Sequence, residues 1–304
     1  MKRIFAALIL AGMLLSQFAA AGEYVIGYAN MADTDVFIMK RKEAFQSEIA
    51  KDKDIKVIFS DANNDNNKQL DQIDNFIMQE VDLLMIVPVD YAGVSVGVRK
   101  ANRAGIPVIC LGIDAEGGES TFIGSPNTDA GRQQGEFMRE KLPQNAKILY
   151  LSGSHGYSHT TERWEGFKEA CLDKRPDVTL LASQTGDYER DRGMKVMEDW
   201  IQSHPQFDAV IAANDQMALG AIQALKTAGR LKGVLISGVD GVDDALRAIK
   251  NGEMAQSILQ NAPAQAAAAY EAMQKVRKGE KLPKEIIVPF ESITADNIDQ
   301  YYKP

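Results

Sequence analysis

Cysteine is nearly absent, with two residues, Cys110 and Cys171, in a chain of 304. That scarcity excludes a disulfide-stapled scaffold and a cysteine-rich zinc module. Both lie inside apolar periodic segments, Val108–Leu111 and Trp164–Cys171, where cysteine acts as a small buried hydrophobe. Two free thiols are expected, although an oxidising compartment would permit a bridge. A basic excess is missing too. The 34 Lys and Arg are outnumbered by 42 Asp and Glu, giving a formal net charge of −8, whereas nucleic acid or an anionic membrane calls for a concentrated basic face. Long blocks of like charge are also lacking and 45% of the residues are hydrophobic, which excludes a disordered chain. The length leaves room for two domains of roughly 150 residues each.

Residues 1–21 have the layout of a secretory signal. Lys2-Arg3 is a positive start, Ile4–Leu15 an apolar stretch, and Ala19-Ala20-Ala21 the small side chains a signal peptidase accepts. Cleavage before Gly22 and release into the periplasm are the expectation, because the apolar run is shorter than the ~20 residues that span a bilayer. Loss of Lys2 and Arg3 takes the net charge from −8 to about −10.

From Tyr24 onward, short apolar runs alternate with longer stretches of helical spacing. Strands are predicted at Val25–Tyr28, Ile55–Phe59, Leu83–Val87, Val108–Leu111 and Thr121–Ile123. The helices between them are Phe37–Ile49, Lys68–Glu80 and Tyr91–Ala104. The second half repeats the rhythm. Its strands are Lys147–Leu151, Val178–Ser183, Ala209–Ala212, Val234–Ser237 and Met254–Leu259, and its helices Asn127–Leu142, Thr161–Asp173, Arg190–His204, Asp215–Ala228 and Val242–Asn251. A helix at Pro263–Lys278, a segment Glu285–Pro289 and a capped turn at Thr294–Asn297 close the chain. Near-continuous apolarity marks strands buried on both faces, so the fold class is α/β with parallel-sheet cores in two similar halves.

Several fragments imitate chemical motifs without completing them. Asp61–Asn66 starts like a calcium loop, yet it lacks the central glycine and has Gln72 where the bidentate glutamate belongs. It reads as a polar loop entering a helix. Ser152-Gly153-Ser154-His155-Gly156 resembles a nucleophile elbow whose first glycine is a serine, with only His159 and His204 following. His155 and His159 lack the glutamate and the uninterrupted helix of a zincin. No P-loop or dinucleotide fingerprint is present, so neither catalysis nor a cofactor is expected, and no metal.

The informative residues follow the strands, where open α/β sheets collect ligands. They are Asp35, Phe37, Asp114, Tyr157, His159, Arg163, Tyr188, Asn214, Asp240 and Gln260. Carboxylates, amides and an arginine match vicinal hydroxyls, while aromatic faces cover the C–H face of a sugar. Taken singly, each also has a structural reading: Asn214-Asp215 suits a helix N-cap, Asp240 a turn, and Phe37 or Tyr188 a core.

Ala213-Asn214-Asp215-Gln216-Met217-Ala218-Leu219-Gly220-Ala221 resembles the bacterial type I periplasmic binding proteins for sugars, the group containing ribose and galactose binders. Asn63–Asn75, Ile106–Val108, Thr161–Phe167 and Ser237–Gly241 support the likeness, which spans Glu23–Pro304. The first stretch is shared with LacI-type repressors, from which the signal segment and the lack of a DNA-binding headpiece before Tyr24 separate this chain. The resemblance implies two Rossmann-like lobes joined by three crossovers, 22–125 with 261–288 and 126–260 with 289–304, hinged near Ser125, Gln260 and Pro289. By the same resemblance Asp35 is the sugar-binding acid, Phe37 and Tyr188 are aromatics on opposite faces, and Arg163, Asn214, Asp240 and Gln260 are hydrogen bonders. His159 stands where galactose binders have an aspartate. Ribose binders have an Asp-Arg pair where this chain has Gly112-Ile113, with Asp114 next, and Thr161 replaces a further arginine; both departures argue against ribose. The implied function is that of a monomeric carrier of a neutral hexose, pentose or cyclitol that feeds the permease and ATPase of an ABC importer. A chemoreceptor or sensor kinase is the alternative partner.

Overall fold

The computed structural model describes residues 23–302, so the signal segment and its cleavage point lie outside the described residues. Two six-stranded sheets are present. The first contains β1 (Tyr24–Asn30), β2 (Ile55–Asp61), β3 (Leu83–Ile86), β4 (Val108–Leu111), β5 (Thr121–Gly124) and the late-arriving β11 (Glu285–Ile287). The second contains β6 (Lys147–Ser152), β7 (Thr179–Thr185), β8 (Ala209–Ala212), β9 (Leu235–Asp240), β10 (Gln256–Leu259) and β12 (Glu291–Thr294). Their orders are the same: β2-β1-β3-β4-β5-β11 and β7-β6-β8-β9-β10-β12. All pairings are parallel except β10 with β12. In each sheet the connection reverses direction at the first strand, which opens a crevice at the carboxyl ends of β1 and β6.

Both sheets are covered on both faces, which explains why their strands are apolar throughout. In the first, α1 (Val36–Ile49) and α9 (Ala262–Arg277) cover Ile26, Leu83 and Ile109, while α2 (Asn66–Met78) and α3 (Ser95–Arg103) cover Leu84, Ile86 and Val108. In the second, α4 (Asn127–Lys141) and α5 (Ser158–Phe167) pack on Ile148 and Tyr150. On its other face α6 (Arg190–Ser203), α7 (Asp215–Thr227) and α8 (Asp243–Lys250) pack on Leu149, Val210 and Ile236. The chain passes between sheets after β5, after β10 and after β11. Cys110 and Cys171 are free, buried and in different lobes.

Three local expectations shift. The helix predicted from Tyr91 begins only at Ser95, because Asp90 accepts the Gly93 N–H and holds a turn there. The helix predicted to Asp173 starts at Ser158 and changes to a π turn over Lys168–Leu172. The tail forms strand β12 before its turn, which Asn297 then caps by accepting the Thr294 N–H at 2.8 Å. Glu291–Thr294 lacks an apolar run because it is an antiparallel edge strand.

Helices α4 and α5 cross at glycines. A Cβ on Gly131 would stand 1.9 Å from the Arg163 carbonyl oxygen, and one on Gly166 2.1 Å from that of Thr128.

Candidate functional site

A cavity of about 420 Å³ lies between the lobes at the carboxyl ends of β1, β4, β6, β8 and β9. Nine of the ten residues singled out in the sequence line it: Asp35, Phe37, Tyr157, His159, Arg163, Tyr188, Asn214, Asp240 and Gln260. Asp114 is outside the lining. Its Oδ1 accepts the Ala115 N–H at 2.8 Å and the Ser120 hydroxyl at 3.2 Å, so it ties its own loop together.

Several residues of the lining also cap helices or are fixed by buried hydrogen bonds. Asp35 caps α1 by accepting the Ile38 N–H through Oδ1 at 2.8 Å, which leaves its second oxygen for the cavity. Asn214 caps α7 by accepting the Met217 N–H at 3.0 Å and donates to the Tyr188 carbonyl at 3.1 Å. Arg163 is 5% exposed and fixed by three acceptors: Asn127 Oδ1 at 3.1 Å, the Ala213 carbonyl at 2.6 Å and Gln260 Oε1 at 3.5 Å. Asp240 ends β9 at a φ of 123°, a conformation L-residues rarely adopt. The adjoining turn is clamped by Asp215, whose Oδ2 accepts the Val242 N–H at 3.0 Å. Ser257 donates to Asp215 and accepts the Gly241 N–H at 3.1 Å.

The aromatic wall is a stack of three rings. His159 lies between Tyr157, with centroids 5.3 Å apart at 22°, and Tyr188, 5.1 Å apart at 32°. Burial, aided by Arg163, pushes the His159 imidazole down to about 3, so the ring is neutral, and its Nδ1 has no partner among the described residues. Tyr188 follows Asp187 in two consecutive left-handed residues, φ 51° and 65°, and its hydroxyl lies 2.7 Å from Thr160 Oγ1. A Cβ on Gly153 would stand 1.9 Å from that ring. The apparent nucleophile elbow thus has its glycine to seat Tyr188, and His155 is exposed beside it. Likewise Asp65 caps α2 by accepting the Asn67 and Lys68 N–H groups at 2.8 and 3.2 Å. Tyr157 reaches across to pack on the core of the first lobe. At the rim Lys40 of α1 pairs with Asp243 of α8 at 3.0 Å.

Sequence reasoning missed Arg41, Asn64, Asn127, Asp187, Glu189 and Arg192, which also line the cavity. Asn127 was legible in principle, as the first residue of a helix following a strand. Asp187 and Arg192 pair with each other at the mouth.

Burial pushes Asp215 up to about 7, opposed by its bonds from Ser257 and the 241–242 backbone. Burial also raises Asp240 well above the usual carboxylate range; Arg163 opposes this, and Asp215 and Asp35 add to it. Above the ordinary carboxylate pKa the folded state therefore binds more protons than the unfolded chain, and stability falls as pH rises toward and through neutrality. His159 has the opposite sign: below about pH 6.5 the unfolded imidazole takes up a proton that the folded one refuses, and stability is lost as pH falls. The two carboxyls outweigh the single imidazole, so the ligand-free protein is expected to melt lower at pH ~8 than at pH ~6. Asp215→Asn should flatten that alkaline decline. Equal melting temperatures for the parent protein at the two pH values would contradict the assignment.

A sequence profile of the periplasmic binding protein domain matches residues 26–281. The ribose import binding protein of Bacillus subtilis is 36% identical over 268 residues, covering 88% of this chain and 86% of that protein. The xylitol-binding protein of Mycolicibacterium smegmatis is 35% identical over 271 residues, covering 88% and 76%. Among solved structures, an ABC transporter solute binding protein from Bacillus halodurans with bound myo-inositol aligns at a TM-score of 0.86 and 31% identity, covering 93% of this chain and 98% of that one. With two parallel-sheet lobes, a polar and aromatic cavity between them and this likeness over most of its length, the chain belongs to the periplasmic binding protein family, in its type I architecture.

Proposed function

We propose that this protein captures an uncharged monosaccharide or related polyol in the periplasm and delivers it, as a monomer, to the permease and ATPase of an ABC importer. The carrying observation is the joint convergence of Asp35, Arg163, Asn214, Asp240 and Gln260 with a three-ring wall on one inter-lobe cavity. Carboxylates accept and the guanidinium donates to vicinal hydroxyls, the amides serve either way, and the rings displace water from the ligand's apolar face. Binding at the boundary of two lobes couples occupancy to closure about the three crossovers. The Lys40 to Asp243 pair then acts as a contact of the closed form. No covalent step is assigned to the site.

The test is a thermal-shift panel of D-ribose, D-galactose, xylitol and myo-inositol, followed by calorimetry. At least one should raise the melting temperature, because a ligand that binds only the native state stabilises it. No shift and no heat with any neutral sugar or polyol would overturn the reading.

A further inference from the structure

Arg41 lies on α1 and is 2% exposed, yet its guanidinium lines the cavity. Nη1 donates to Gln265 Oε1 at 3.1 Å, the guanidinium carbon lies 5.5 Å from the centre of the Phe37 ring, and Nε has no partner among the described residues. The buried Tyr28 hydroxyl lies beside it, and Asp35 acts on it through space rather than as a bonded ion pair. Burying a guanidinium with so few partners is costly, and the structure makes specific room for it. A Cβ on Gly112, just after β4, would stand 2.3 Å from Arg41 Nη1, and Gly112 has a φ of 77°.

We propose that Arg41 is a ligand-contacting donor and a determinant of specificity, admitted to the cavity by the missing side chain at position 112. The inference rests on the polyol reading above and narrows it. Asp35 and Arg41 face the cavity from the first lobe, Asp240 and Arg163 from the second, so each lobe offers a carboxyl group and a guanidinium. With Asp187, Glu189 and Arg192 at the mouth, the lining holds four carboxyl groups against three guanidinium groups, a near balance that favours an uncharged ligand. Sets on opposite walls fit a rigid ring with hydroxyls on both edges, a cyclitol or pyranose, better than an open chain that must freeze its rotors to bind.

Calorimetry with myo-inositol, D-galactose, D-ribose and xylitol on the parent protein, Arg41→Met and Gly112→Ala tests this. A cyclic probe should bind the parent most tightly, and Arg41→Met should weaken that probe at least tenfold. Gly112→Ala should do the same by displacing the guanidinium, which keeps the test available if Arg41→Met does not fold. Binding within twofold of the parent in a folded variant would overturn the role of Arg41 while leaving the proposed function intact. Tightest binding of xylitol would overturn the ring class. A parent protein that binds none of the probes would bring down both readings.

Discussion

Arg163→Met should weaken binding of the tightest polyol about a hundredfold, the equivalent of two charge-assisted hydrogen bonds at ~1.5 kcal/mol each. The same substitution should reach the fold. The Ala213 carbonyl, Asn127 Oδ1 and Gln260 Oε1 lose their donor, and Asp240 loses the positive charge that opposes its burial. Leaving buried polar groups unsatisfied costs ~1–3 kcal/mol, so the midpoint of urea denaturation should fall as well. Arg163→Lys retains the charge without the planar fork and should recover stability better than affinity. An affinity for Arg163→Met within threefold of the parent would remove this residue from the ligand site.

The second large effect concerns a residue that touches no ligand. Gly166→Val would drive a side chain into the Thr128 carbonyl of α4, where even a Cβ stands 2.1 Å away. Backbone cannot yield as a side-chain tip does, so α5 must move off α4. We expect a loss of ~3 kcal/mol or more, at the upper end of overpacking penalties. Because α5 contains both His159 and Arg163, displacement of that helix should also reduce affinity in whatever fraction stays folded. A variant with the parent's melting temperature and affinity would show that the crossing is looser than the structure describes.

These two residues differ in how far the sequence reveals them. Arg163 follows a strand among polar and aromatic neighbours, so its place in the cavity lining was legible. Gly166 reads only as a helix-weakening glycine until α4 is seen against it. Asn214 was legible twice over, as a cap and as a cavity residue, because a helix N-terminus after a parallel strand points into the crevice; Asp35 was legible only as a cavity residue, and the structure adds that it caps α1. Asp114 has the same sequence position after a strand and lies outside the lining, since its neighbours Ala115 and Ser120 occupy its carboxylate. Arg41 escaped notice because an arginine on a helix normally marks the solvated face.

What the sequence alone determined is whatever depends on short-range periodicity: the alternation of strands and helices, the burial of both sheet faces, the caps, and the residues that follow each strand. An apolar run or a capping side chain acts within a few residues, and its pattern is written locally. What only the tertiary structure decided is which distant groups meet. The guanidinium of Arg41 fills the space that Gly112 leaves, the Tyr188 ring rests on Gly153, and Asp215 clamps the turn that presents Asp240. These are contacts between elements far apart in the chain, fixed by close packing of whole helices and sheets. Close packing has no sequence period from which such contacts can be read.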